Sequence, residues 1–161
     1  MKKSTLFTFV AVSFLAVGCS FSVGTNKDLS TGLSYSYNGF TVNDVRLLDA
    51  DNLPYKSNEV EVGRKVTVSI EGLANYVLKD EKAFPGLSMS VTDKAGAEIL
   101  GFKDYFENTE GYTATDAAYL RGFLTIGNPM VSGETYHVKV RAWDKNKAEN
   151  ELTAEVDLVV K

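Results

Sequence analysis

The chain is poor in the residues that carry most side-chain chemistry. It has one cysteine, Cys19, and one histidine, His137, among 161 residues. A single cysteine excludes an internal disulfide. Taken with a single histidine, it also excludes zinc held by several Cys and His ligands. His137 stands mid-segment between Thr135 and Lys139, on the polar parity, and reads as a surface histidine. The 13 glycines are scattered singly, with no strand, glycine cluster and helix in succession to cradle phosphate. Beyond residue 18 no apolar run approaches the ~20 residues that a spanning helix needs. Carboxylates are plentiful, but Asp80-Glu81 and Glu107/Glu110 fall in loop segments, and nothing marks one pair for acid–base work. The expectation is a protein that is not an enzyme.

What the chain does have begins at its start. Lys2 and Lys3 precede an apolar segment from Leu6 to Val17, which ends in Leu15-Ala16-Val17-Gly18-Cys19. A basic start, a short apolar stretch and small residues before a cut are the plan of an exported leader. The segment resembles the leader of bacterial lipoprotein precursors, whose box reads Leu, a small residue, Gly or Ala, then Cys. Here Ala16 stands where Leu is usual, with Leu15 one place earlier. The resemblance covers the first 19 residues. It implies that residues 1–18 are a signal peptide, an N-terminal signal helix, and that Cys19 takes diacylglycerol and palmitate and becomes the new N-terminus. It further implies a lipid-anchored protein of the bacterial cell envelope, with the outer membrane facing the periplasm as the expected location.

Without residues 1–18 the chain has 143 residues, with 15 Lys and Arg against 21 Asp and Glu, a balance of −6. That length suffices for one domain with a real core. An acidic balance repels phosphate backbones, so nucleic acid is not an expected partner. Residues 19–39 are rich in Gly, Ser, Thr and Asn and read as a tether, with Ser34-Tyr35-Ser36-Tyr37 as an added edge strand.

From Phe40 to Lys161 the apolar pattern has period two, broken by turn residues. Phe40 and Val42 alternate, then Val45 and Leu47 continue on the other parity, which predicts a bulge near Asn43-Asp44. Further alternations run through Val66–Ile70, Leu87–Val91, Leu120–Ile126, Tyr136–Ala142 and Leu152–Val160, with a hairpin turn at Asp93–Gly96 and a short strand around Glu98–Phe102. Thr115 and Asp116 are placed to cap one helical turn running to Leu120. Strands of this number and spacing predict an all-β, antiparallel β-sandwich of about seven strands. Gly133 to Asp144, with Tyr136 after the glycine and Asp144 opening the last hairpin, resembles the penultimate strand of immunoglobulin-like and fibronectin-type-III-like domains. That implies an immunoglobulin-like fold and says nothing of ligand.

In that topology alternate loops share one end. Loops 73–86, 103–118 and 144–150 would then meet, bringing Tyr76, Phe84, Tyr105, Tyr112 and Trp143 together among carboxylates. Rings amid polar groups suit a protein or a glycan partner, and parity turns Trp143 outward. Asp144, Asn146 and Glu149 supply alternating oxygens for calcium, but Lys145 and Lys147 stand between them. The sequence thus points to a non-catalytic binding or structural module with no cofactor beyond the lipid on Cys19. The alternatives are a carbohydrate-binding accessory lipoprotein and a periplasmic inhibitor or immunity protein.

Overall fold

The computed structural model describes residues 22–161, so Cys19 and the leader lie outside the described residues. Ten strands and one short helix form two sheets. The smaller sheet has β3 (Asp44–Leu48), β5 (Lys65–Glu71) and β8 (Tyr119–Thr125), in the order β3-β5-β8. The larger runs β1-β2-β10-β9-β6-β7, built from β1 (Val23–Lys27), β2 (Ser34–Asn38), β10 (Lys147–Val160), β9 (Thr135–Asp144), β6 (Pro85–Thr92) and β7 (Glu98–Phe102). β4 (Glu59–Val60) joins it in parallel at the end of β10, and the other pairs are antiparallel. Strands β3, β5 and β8 take the places of A, B and E in an immunoglobulin-like sandwich, and β7, β6, β9 and β10 those of C′, C, F and G.

The core lies where the alternation predicts. Tyr136, Val138, Val140 and Ala142 of β9 and Leu152, Ala154, Val156, Leu158 and Val160 of β10 are all buried, facing Val66, Val68 and Ile70 of β5 and Leu120 and Leu124 of β8. Gly122 sits on the inward parity of β8, and a Cβ there would stand 2.9 Å from Met89 Cε. The glycine lets the two sheets close on each other at that point. On the outer face Arg121 reaches from β8 to Asn52 (3.0 Å) in the loop after β3. β5 lies between them, and its polar Ser69 and Thr67 are buried.

Three expectations need correction. Residues 23–38 are not tether. β1 and β2 form a hairpin that extends the large sheet, with β2 paired to β10 from Ser34↔Glu155 to Asn38↔Glu151. The added strand is therefore interior, and β1 makes the edge. Apolar pattern is weak here because hydrogen bonds hold the hairpin: Asp28 accepts from Ser30 N, Ser30 Oγ and Thr31 Oγ at the turn, which keep its carboxyl below the ordinary value. Only Leu33 and Tyr35 go into the core. Phe40 and Val42 are not in a regular strand. The break falls where the parity slips, but β3 starts at Asp44, Thr41 makes an isolated bridge to Ala74, and Phe40 plugs the core. The helix, α1 (Ala114–Ala117), starts before the expected turn, because Thr113 caps it by accepting from Asp116 N at 3.1 Å. Leu120 belongs to β8.

Candidate functional site

The three long loops do meet at one end of the sandwich. Asp144, fully buried at the end of β9, accepts from Val77 N (2.7 Å) and from Asn146 N (2.9 Å). Asn146 Nδ2 donates back to Val77 O at 2.8 Å. Lys145 donates its backbone N–H to Phe84 O (2.9 Å) and its ammonium to Phe106 O, and pairs with Asp104 at 2.7 Å. Ala83 and Tyr112 bridge the other two loops. Partial burial would raise Asp104. The Lys145 ammonium and the N–H groups of Phe106 and Leu87 outweigh it and hold the carboxyl below its ordinary value.

This stitching removes most of the expected ligand-facing groups. Both oxygens of Asp144 already have backbone partners, so the Asp144, Asn146 and Glu149 set is not presented to calcium. Among the described residues no group of three or more His, Cys, Asp or Glu stands together as a metal site. The rings are spent as caps on the open end of the core. Tyr76 leans on Phe40 with centroids 4.9 Å apart and donates its hydroxyl to Ala117 O at 3.1 Å. Burial, with the Asp144 charge adding, pushes its phenol far above the ordinary range. Phe84 packs over Gly111, and Phe106 meets Tyr112 edge-on at 5.5 Å. Tyr105 turns away from this end altogether. Trp143 keeps its outward direction: it lies over Gly86 on the outer face of the large sheet, with the Arg141 guanidinium 4.9 Å from its ring.

That outer face is laced by side-chain pairs that cross from strand to strand. His137 meets Asp157 at 2.8 Å, Lys139 meets Glu155 at 2.9 Å and Arg141 meets Glu151 at 2.8 Å, all across the β9–β10 pair. His137 is thus a surface histidine in a cross-strand pair.

Sequence reasoning missed a second aromatic group. Tyr105 lies between Phe102, on the free edge strand β7, and Phe123, on the free edge strand β8, at 5.3 and 6.3 Å. It binds the two sheets by its hydroxyl to Phe123 O (3.4 Å). Phe102 and Phe123 remain 47% and 51% exposed, and Tyr119, on the same face of β8 as Phe123, 61%. Lys65 Nζ stands 4.8 Å over the Phe123 ring. The signal was present in β8: with Leu120, Gly122 and Leu124 facing in, Tyr119 and Phe123 must face out. Phe102 also walls a groove of about 330 Å³ with Ser88, Ser90, Lys139 and Arg141.

No family model matches the chain. No curated protein matches it. Among solved structures, the PmoD soluble domain from Methylocystis sp. ATCC 49242 (Rockwell) aligns over 73% of this chain and 89% of its own, at 8% identity and a TM-score of 0.38. Chicken MD-1 complexed with lipid IVa aligns over 87% of this chain and 99% of its own, at 9% identity and a TM-score of 0.36. Likenesses this distant leave the function to be argued from the residues. The fold itself stands on the strand order. Among the described residues no helix is long and apolar enough to cross a membrane.

Proposed function

We propose that the chain is a lipid-anchored protein of the bacterial envelope, and that its sandwich is a non-catalytic binding or structural module. The observation that carries this reading is the position of Cys19. It closes a basic-then-apolar leader, it is the only thiol, and it lies four residues before the first strand at Val23. Four residues span at most about 13–14 Å, so the sandwich would sit directly on the bilayer rather than on a long stalk. Metabolic labelling with a palmitate analogue tests it. The wild-type chain takes the label and sediments with membranes; Cys19→Ala loses the label. Equal labelling of the two sinks the reading.

Within that reading a glycan ligand is favoured by the groove beside Phe102. It offers a ring wall, the hydroxyls of Ser88 and Ser90, the Glu98 carboxylate and the cations of Lys103, Lys139 and Arg141, the mixture that holds a sugar by stacking and hydrogen bonds. Trp143, the only tryptophan, stacks on Arg141 of that groove and reports on it. A glycan that binds there shifts the tryptophan emission, and Phe102→Ala abolishes the shift. Silence across a panel of envelope glycans removes this ligand class.

A further inference from the structure

The chain enters the sandwich at the stitched loop end. Ser22 O accepts from Gly39 N at 2.7 Å. Gly39 has φ +72°, and the Asn150 side chain packs so closely on it that no Cβ would fit. Asn150 in turn donates to Asn75 O at 2.8 Å. Two residues on, Val77 is fastened to Asp144 and Asn146. Ser22 therefore lies beside the start of the 75–82 segment. That segment is a small hairpin, closed by the Lys79↔Lys82 bridge and turned at Asp80 and Glu81 with φ of 50° and 62°. It exposes two apolar side chains in succession, Val77 at 43% and Leu78 at 48%. Neither is needed by the core.

We propose that this hairpin is a membrane-contact element. The inference rests on the reading of Cys19 as lipidated. Cys19 is three residues from Ser22, a reach of about 10 Å, so acyl chains on its sulfur hold this end of the sandwich against the bilayer. Val77 and Leu78 then meet the boundary between headgroups and acyl chains, where an apolar side chain gains burial at small cost. Lys79 and Lys82 stand beside Asp80 and Glu81, so apolar contact and the anchor hold the hairpin there, rather than a field of one sign. The loop end is thereby closed to soluble partners. What faces away from the bilayer includes the Asp93–Gly96 hairpin at the far end of β6, while the groove beside Phe102 stays open at the flank.

The test uses the full chain, expressed in bacteria, extracted, and reconstituted into phosphatidylcholine vesicles containing lipid brominated near the glycerol. Single thiols are introduced by Leu78→Cys and, as a far-end control, Ala95→Cys, both at exposed positions. Each is labelled with a polarity-sensitive maleimide. The wild-type chain reports on the anchor independently: if Cys19 is acylated it takes no maleimide, and if it labels, the lipidation reading fails and this proposal fails with it. With the wild type unlabelled, the probe at 78 is expected to emit to the blue of the probe at 95 and to be quenched several-fold more by the brominated lipid. Equal emission and equal quenching at 78 and 95 overturn the membrane contact while leaving the anchor intact.

Discussion

Phe40→Ala is expected to remove about 3–5 kcal/mol of stability, the range for deleting a buried phenylalanine ring. Domains of this kind hold only about 5–15 kcal/mol in total, so the variant will be near the edge of folding. Phe40 is completely buried. It stands between the β1–β2 hairpin and β3, and its ring meets Tyr76 at 4.9 Å. The space it leaves cannot close by a slide of Tyr76, whose hydroxyl is tied to Ala117 O. The lost contacts therefore remain as a cavity, which places the cost in the upper part of the range. Urea unfolding measures it: the midpoint falls and the slope stays constant. Tyr119→Ala, at an exposed ring, provides the contrast and should stay within about 0.5 kcal/mol of wild type. Equal losses in the two would mean that Phe40 does not plug the core.

The second large effect is expected at Asp144. Its buried carboxylate holds Val77 N and Asn146 N and so fastens loop 73–86 to the end of β9. A hydrogen bond to a charged group contributes about 1.5–3 kcal/mol, and an unpaired buried donor costs about 1–3. Some relaxation of the loop is available to Asp144→Ala, so the net loss should be about 2–4 kcal/mol. The damage is local as well as global. Amide exchange at Val77 and Asn146 accelerates, while β5 and β8 keep protection set by the whole fold. Asp144→Asn retains one acceptor oxygen and falls between. Unchanged exchange at Val77 in Asp144→Ala would show that the 75–82 hairpin is held by something other than this carboxylate.

Both residues were visible in the sequence, each with a different meaning. Phe40 read as one member of a strand. Only the fold shows that the backbone leaves regular pairing there so that the ring can close the core. Asp144 read as the opening residue of the last hairpin and as a calcium ligand. The first reading holds. Against the second stand two backbone N–H groups, Val77 N from loop 73–86 and Asn146 N from its own loop, which occupy both carboxylate oxygens. The meeting of the loops followed from topology alone, but which of their groups stay free did not. Tyr76, Phe84, Phe106 and Tyr112 are drawn in because the open end of a sandwich must be covered, and rings cover the most area per residue. Trp143 is the exception. Strand parity turned it outward, and no later contact reversed that.

The period-two pattern by itself determined the two sheets, the inward faces of β9 and β10, and the Asp93–Gly96 hairpin, since alternation is a local property that survives whatever packs against it. The polar β1–β2 hairpin, the exposed rings along the β7–β8 flank and the fate of the loop carboxylates were decided only by tertiary structure. A strand with little apolar pattern is held by hydrogen bonds to a neighbour distant in sequence. A side chain's exposure, likewise, is a property of what the rest of the chain leaves uncovered.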